Sequence, residues 1–223
     1  MLSEPEKIRV MFSKTGSLKF ISHLDLNRTV KSAFLRSKLP IWYTQGFNPH
    51  PKTVFSLPLS VGTSSLTEFM DFRITEEVSG EEICKRLNEV FPTGLRAISA
   101  AAPVHKFSDI GWADYEICFE TADAAALAEK IKEALSGPIV VEKTTKIGTR
   151  TVDMAPYTKL VSSEPAEGGL KMKLCLSAAG DTYVNPRYII DFLTEKTGYP
   201  SEDDDYTVCR TAAYLADGKT LFS

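Results

Sequence analysis

Hydrophobic and polar residues alternate over residues 7–12 (KIRVMF), which predicts a β-strand, and the following KTGS predicts a turn at Gly16. A helix is predicted next, because Ser22 and Asp25 resemble a capping box and apolar residues recur behind them at helical spacing. TVFSLPLSVG and LTEFMDFRIT then predict two strands, GEEICKRLNEVF a helix and LRAISAA a strand. The first half therefore has the element order β-α-β-β-α-β.

The second half repeats this order in its pattern. DYEICFET predicts a strand, ADAAALAEKIKEAL a helix and IVVEKT a strand, and TRTVDMA and LKMKLCLS are predicted to continue the same sheet. PRYIIDFLTEKTG predicts a helix between Pro186 and Gly198, and DYTVCRTAAYL the last strand. We therefore predict an α/β (α+β) protein of two tandem ferredoxin-like sandwiches, with mainly antiparallel sheets and helices on one face.

Periodicity is lost around APVHKFSDIGW, where Pro103 and Gly111 interrupt the pattern. This predicts an N-terminal domain at residues 1–102, a linker at 103–113 and a C-terminal domain at 114–223. The chain of 223 residues has no apolar run near the roughly 18 residues of a membrane span, and MLSEPEKIRV lacks a signal pattern. We expect a cytoplasmic protein with no membrane partner.

The four cysteines do not have the spacing of metal ligands. Cys84, Cys118, Cys175 and Cys209 are scattered, and no pair is two to four residues apart. We expect reduced thiols and no metal site. The glycine patterns of nucleotide-binding loops and the short signatures of zinc proteases and serine hydrolases are also missing, so no cofactor is predicted.

Positive charge is concentrated near the start of the chain. The first 60 residues hold nine Lys and Arg against three acidic residues, although the whole chain has a net charge of −3. This pattern is typical either of solvated faces or of a local binding surface for an anionic partner.

The stretch YTQGFNPHPK, residues 43–52, combines ring faces, amides, an imidazole and a lysine. These groups suit a stacked and hydrogen-bonded nucleobase, and the two prolines restrict the loop before a partner binds. The alternative is a structural crossover in which the rings belong to the core. We predict that this loop and the N-terminus of the SHLD helix form two walls of one cleft.

His23 lies in the first turn of the predicted helix, where its imidazole either caps the helix or faces solvent, or else reaches a ligand phosphate. Asp25 is typical of a capping carboxylate rather than a general base. The candidate catalytic residues are His23, His50 and Asp25, with His23 and His50 as a candidate acid–base pair.

Three stretches, KIRVMFSKTGSLKFISHLDLNRTVKSAF, YTQGFNPHPK and FSLPLSVGTSSLTEFMDF, resemble the radical SAM-linked family of uncharacterised bacterial proteins. The later part of the family is resembled less closely, by VDMAPYTKL, NPRYIIDFL and VCRTAAYL. The resemblance implies an accessory role beside a radical SAM enzyme, since this chain has no cysteine run for that enzyme's iron–sulfur cluster. The family-like polar positions are Ser22, His23, Asp25, Arg28, Gln45, Gly46, Asn48, His50 and Glu68.

From these observations we expect a recognition module without catalysis of its own, which binds RNA or a ribosome-associated substrate for a radical SAM partner. Two alternatives stay open: an RNA-directed enzyme that uses His23 and His50, and a protein–protein scaffold. The expected substrate-binding residues are Lys14, Lys19, His23, Arg28, Tyr43, Gln45, Phe47, Asn48, His50 and Lys52.

Overall fold

The computed structural model describes residues 4–145, 148–200 and 205–223. Over these residues the chain is a mixed α/β protein with four α-helices and mostly antiparallel strands. It divides into two compact units, Met1–Phe107 together with Ser223, and Ser108–Phe222. The predicted class, α/β with mainly antiparallel sheets, is confirmed at this level.

The first unit consists of β1 (Glu6–Lys14), α1 (His23–Ser37), β2 (Val54–Phe55), β3 (Thr63–Ile74), α2 (Gly80–Val90) and β4 (Leu95–Ala101). In its sheet β1 lies between β3 and β4, and the short strand β2 pairs with β3. All of these pairs are antiparallel.

The core of the first unit follows from strand alternation, since every second residue of a strand points to the same face of the sheet. Even-numbered positions of β1 and β3 supply one buried apolar face, and α1 and α2 cover it with their own apolar residues. Its members include Ile8, Val10, Phe12, Met70, Phe72, Ile74, Leu26, Val30, Phe34, Ile83 and Leu87.

Both helices of this unit begin at a serine cap. The side chains of Ser22 and Ser79 accept hydrogen bonds from the backbone N–H groups of Asp25 and Glu82, respectively. Such caps satisfy N–H groups that have no partner within the helix. The capping position of Ser22, predicted from the sequence, therefore places His23 as the first residue of α1.

The second unit consists of β5 (Ile110–Glu120), α3 (Ala124–Ala134), β6 (Val140–Thr145), β7 (Gly148–Asp153), β8 (Thr158–Ala166), β9 (Gly169–Ser177), α4 (Pro186–Thr197) and β10 (Tyr206–Leu215). Its main sheet has the order β10-β5-β9-β8, with antiparallel pairing throughout. Strand β5 begins at Ile110, within the segment that the sequence predicts to be a linker.

One strand assignment in the second half was wrong. TRTVDMA was predicted to continue the main sheet, whereas β7 pairs only with β6 in a separate two-stranded sheet. The position next to β9 is taken by β8, which the sequence analysis missed. Pro165 and a register shift between Leu160 and Ser162 interrupt the regular pattern of β8, so its alternation is weak.

The four cysteines are free thiols. Cys175 is buried and the other three are half-buried. Among the described residues no group of three or more His, Cys, Asp or Glu side chains is arranged to hold a metal ion. No helix in the described part of the chain is long and apolar enough to cross a membrane.

Candidate functional site

The 43–52 loop is a small closed hairpin. Tyr43 and Pro51 form an antiparallel bridge at its base, and the Thr44 N–H donates to the carbonyl of His50 at 3.0 Å. The His50 N–H donates in turn to Thr44 Oγ1 at 3.2 Å. These contacts close the loop without help from a partner, so its shape is set before anything binds.

The tip of the loop faces solvent. Gln45, Phe47, Asn48 and His50 are all exposed, and the Phe47 side chain is exposed over its whole surface. Leaving a phenylalanine fully in water forgoes the free energy of its burial, about 1.5–3 kcal/mol. A loop that is closed by its own hydrogen bonds and holds this ring outward is typical of a contact site.

Two members of the predicted loop site have structural roles. Tyr43 is half-buried and packs against the core of the first unit, so its ring is less exposed to solvent than that of Phe47. His50 contacts the Asn48 carbonyl through Nδ1 at 2.9 Å. Because a carbonyl oxygen only accepts, Nδ1–H is the donor in this contact.

A second feature, the α1 cleft, lies at the N-terminus of α1. It has a volume of about 300 Å³, counting the part open to solvent. Its lining residues are Lys14, Ile21, Ser22, His23, Leu26, Phe55, Ser56, Pro58, Leu59 and Glu68. The enclosed part has room for about one water-sized group.

Strand alternation places the charged residues of the α1 cleft. Lys14 and Glu68 lie on even positions, two residues beyond the apolar even positions of β1 and β3 that form the core. Both side chains are buried, with 3% and 4% of their surface exposed. The buried face of the sheet therefore ends in one cation and one carboxylate where α1 begins.

Two further polar groups complete the α1 cleft. The His23 ring packs edge-on against Phe55, with 5.3 Å between ring centroids. Ser56 follows β2 and is buried, and its Oγ has no hydrogen-bond partner among the described residues. Buried hydroxyls are nearly always hydrogen-bonded, so this one marks a point where a ligand or water would be held.

Asp25 supports the helix cap that Ser22 forms. Its backbone N–H donates to Ser22 Oγ at 3.1 Å, and Ser22 Oγ donates back to Asp25 Oδ2 at 2.7 Å. The hydrogen bond from Ser22, together with Arg28 at 3.2 Å, holds the pKa of Asp25 below its ordinary value. A carboxylate held in its ionised form in this way is a poor proton carrier near neutral pH.

A shallow groove lies beside the base of the loop. This groove, here called the Lys52 groove, has a volume of about 520 Å³ and is lined by Lys7, Lys52, Val54, Asp71, Phe72 and Arg73. Asp71 is buried and bound to Arg9 and Lys7, with shortest distances of 2.8 and 2.7 Å. Lys52 and Arg73 are exposed and provide positive charge along the groove.

The structure divides the predicted site residues between these features. Lys14 and His23 line the α1 cleft, Lys52 lines its own groove, and Lys19 lies over the ring of the exposed Phe20 at 5.0 Å. Gln45, Phe47, Asn48 and His50 belong to the exposed loop, Tyr43 packs at its base, and Arg28 pairs with Asp25 on the surface of α1.

The wall of the α1 cleft that faces the helix differs from the predicted one. It comes from Phe55, Ser56, Pro58 and Leu59, and no described residue of the 43–52 loop lines the cleft. Ser56 and Phe55 had not been predicted as site residues. Glu68 was noted only as a family-like position, although its place two residues before the buried Met70 was a usable signal.

Comparison with known proteins identifies the family. Residues 7–186 match the model of the family described as uncharacterized protein conserved in bacteria (DUF2344). The chain belongs to this family. No curated protein matches the chain significantly. Among solved structures, an unknown protein from Galdieria sulphuraria is similar over 93% of this chain and 99% of its own, with 13% identity and a TM-score of 0.27.

Proposed function

We propose that the chain is an accessory recognition module that binds RNA or a ribosome-associated substrate for a radical SAM enzyme and has no catalysis of its own. The radical SAM partner is proposed from the sequence resemblance described above. The observation that carries the recognition role is the 43–52 loop, which is closed by its own hydrogen bonds and holds Phe47 fully in solvent.

RNA fits this loop better than a flat protein surface does. An exposed ring flanked by Gln45 and Asn48 offers a stacking face together with amide donors and acceptors, which suits an unpaired base. The Lys52 groove lies beside the base of the loop and adds two exposed cations, Lys52 and Arg73, for the phosphates of the same strand.

The test compares two exposed apolar residues. Fluorescence anisotropy with a labelled single-stranded RNA would measure the affinity of the wild-type chain, Phe47→Ala and Leu35→Ala. Leu35 lies on α1 and 71% of its surface is exposed, so it controls for a general loss of apolar surface. Stacking on an aromatic ring contributes about 1–3 kcal/mol per base, so Phe47→Ala should weaken binding roughly 5- to 150-fold.

Salt dependence separates an RNA surface from other interfaces. The logarithm of the affinity should fall with the logarithm of salt concentration by about 0.7 for each phosphate contacted on a single strand. Salt-independent binding, or equal affinity of Phe47→Ala and wild type, would contradict the proposal. If a radical SAM enzyme still co-purifies with the chain after nuclease treatment, and the chain itself binds no RNA, the scaffold alternative is favoured.

An enzyme that uses His23 and His50 gains no support from the geometry. His23 lines the α1 cleft and packs on Phe55, whereas His50 is held within the loop by Thr44 and Asn48. RNA cleavage by the purified chain that is lost in His50→Ala would nevertheless overturn the non-catalytic role.

We further propose that each unit is a ferredoxin-like sandwich. The order of elements β1-α1-β2-β3-α2-β4, with β1 between β3 and β4, supports this for the first unit. In the second unit β5, α3, β8, β9, α4 and β10 follow the same scheme, with the β6–β7 hairpin as an insertion. An experimental structure with a different strand order would contradict this fold.

A further inference from the structure

The α1 cleft contains more polar groups than packing requires. Lys14, Ser56 and Glu68 are each at least nine-tenths buried, and His23 lies beside them. Ser56 Oγ in particular has no partner among the described residues, although it is shut off from bulk solvent. A hydroxyl in this position indicates a missing hydrogen-bond partner rather than a packing role.

The N-terminus of α1 supplies a second set of donors. The first N–H groups of a helix have no partner within it, and the Ser22 hydroxyl accepts a hydrogen bond from the N–H of Asp25. The N–H groups of His23 and Leu24 lie in this first turn, where a helix offers donors to a ligand or water. The aligned peptide dipoles also give this end of a 15-residue helix a partial positive charge.

The donors around the α1 cleft favour an oxyanion. Ser56 and His23 can donate, and the helix N-terminus adds N–H groups. Glu68 opposes an anion, but its charge is offset by Lys14 in the same lining, and Asp25 is paired with Arg28. The remaining field is that of the helix N-terminus, which attracts negative charge.

The size and charge of the cleft favour the end of a chain. Its enclosed part has room for about one water-sized group, so one phosphate oxygen would enter it and the rest of the phosphate would lie in the part open to solvent, where apolar residues, among them Phe55 and Leu59, surround the polar end. A terminal phosphate carries a nucleoside on one side only, so it can approach this position with less steric hindrance than an internal phosphodiester. A monoester also carries a charge of about −1.5 to −2 near pH 7, against −1 for the diester.

We propose that the α1 cleft binds one phosphate monoester, the terminal phosphate of a nucleotide or of an RNA chain. This inference rests on the proposed function for the identity of the molecule that carries the phosphate. The chemistry at the cleft is the same for a free phosphate, so the experiment separates the two sources.

Isothermal titration of the full chain, in a phosphate-free buffer, would use inorganic phosphate, adenosine 5′-monophosphate and adenosine as probes. The test variant is Ser56→Ala. Since Ser56 Oγ has no hydrogen-bond partner in the described part of the chain, the change removes no hydrogen bond seen there and the folded protein should keep its Tm. Ser32→Ala is the matched control, because Ser32 is exposed on α1 and does not line the cleft.

We expect adenosine 5′-monophosphate to bind and adenosine not to bind. Ser56→Ala should weaken the binding about tenfold or more, since a hydrogen bond to a charged group is lost, and Ser32→Ala should leave it unchanged. Binding of inorganic phosphate alone, with the same sensitivity to Ser56→Ala, would support the site and assign it to free phosphate. The proposal would be overturned if neither adenosine 5′-monophosphate nor inorganic phosphate binds, or if the wild type and Ser56→Ala bind with equal affinity.

A comparison of 5′-phosphorylated and 5′-hydroxyl RNA of one sequence separates this inference from the proposed function. Tighter binding of the phosphorylated RNA, lost in Ser56→Ala, supports both. If the two RNAs bind equally and respond only to Phe47→Ala, the cleft proposal fails and the recognition role stands. If the mononucleotide binds but neither RNA does, the cleft proposal stands and the recognition role fails.

Discussion

At the scale of single residues, Cys175 is the one buried thiol among the four cysteines, all of which the structure describes. Burial, and after it a hydrogen bond with Asp114, raises the pKa of Cys175 to about 12. At pH 8 roughly one molecule in ten thousand would then carry the reactive thiolate at this position. We expect native protein treated with iodoacetamide to be labelled last at Cys175, as measured by peptide mass spectrometry.

Denatured protein is the control for this labelling, since all four cysteines should then react at similar rates. Cys118 and Cys209 are half-buried and provide the comparison within the native state. Labelling of Cys175 as fast as that of Cys118 would show that the strand β9 opens or that the thiol is not held near Asp114.

Tyr214 makes the stability of the protein depend on pH at the alkaline end. Burial, and then its 2.8 Å hydrogen bond to Asp114, raises the pKa of Tyr214 from 10.0 to about 12. A raised pKa means that the folded state binds the proton more tightly than the unfolded state does. The contribution of this group is therefore complete below pH 10 and is lost as the pH rises toward 12.

The measurement for Tyr214 is the free energy of unfolding in denaturant at several pH values between 9 and 12. Cys175 titrates across the same window, from 9.0 to about 12, so the wild type should lose stability through both groups. Tyr214→Phe should show a shallower decline from pH 10 upward. An unchanged slope in this variant would mean that Tyr214 does not titrate differently in the two states.

Single residues also mark the limit of prediction from sequence. The composition of the 43–52 loop pointed to an exposed site, but it could not separate Phe47, which faces solvent, from Tyr43, which packs on the core. Both are aromatic residues in the same short stretch, and only tertiary packing distinguishes them. No sequence pattern identified Ser56 as a site residue, because the lack of a hydrogen-bond partner depends on the groups that surround a hydroxyl in the folded protein.

At the scale of elements, the cap of α1 connects the fold to the candidate site. Ser22→Ala removes the acceptor for the Asp25 N–H and the donor to the Asp25 carboxylate. Loss of such a cap costs about 0.5–2 kcal/mol of stability. We expect a decrease of about 1 kcal/mol in the free energy of unfolding, measured by urea denaturation.

Ser79→Ala is the parallel test on α2, where Ser79 accepts from the Glu82 N–H at 3.2 Å. Among the described residues Ser79 shows no reciprocal bond to a carboxylate, so Ser79→Ala should cost less stability than Ser22→Ala. A Ser22→Ala protein as stable as the wild type would show that Asp25 and Arg28 hold the first turn of α1 without the serine.

Elements with strong periodicity were predicted closely, and those with weak periodicity were not. β1, α1 and β4 were placed within a few residues, because their apolar residues recur at the spacing of one strand face or one helix face. The strands β6 and β7 were found as strands but assigned to the wrong sheet. Alternation of polar and apolar residues predicts that a segment is extended, but it does not identify the strand with which that segment pairs.

At the scale of the whole molecule, Arg9 connects distant parts of the sequence. Its guanidinium donates to both carboxylate oxygens of Asp71, at 2.8 and 3.0 Å, and to the backbone oxygen of Ser223 at 3.0 Å. Its guanidinium carbon lies 4.3 Å from the centre of the Phe107 ring. A single buried side chain of β1 therefore holds β3, the end of the first unit and the last residue together.

Removal of Arg9 leaves a buried carboxylate without its main partner, which is more damaging than loss of a surface pair. Breaking a buried ion pair typically costs about 3–5 kcal/mol, because the remaining charge stays desolvated. Lys7 remains 2.7 Å from Asp71 and offsets part of this cost. We expect Arg9→Leu to lower the free energy of unfolding by about 3 kcal/mol, measured by denaturant titration.

Two further variants decide whether the cost arises from the buried charge. Arg28→Leu removes the exposed pair with Asp25, and surface pairs contribute about 0–1 kcal/mol, so this control should stay near wild type. Arg9→Leu combined with Asp71→Leu removes both charges and should recover part of the lost stability, because no unpaired carboxylate remains. If the double variant is less stable than Arg9→Leu alone, the buried pair does not account for the loss, and the contacts of Arg9 with Phe107 and Ser223 would carry the stabilisation instead.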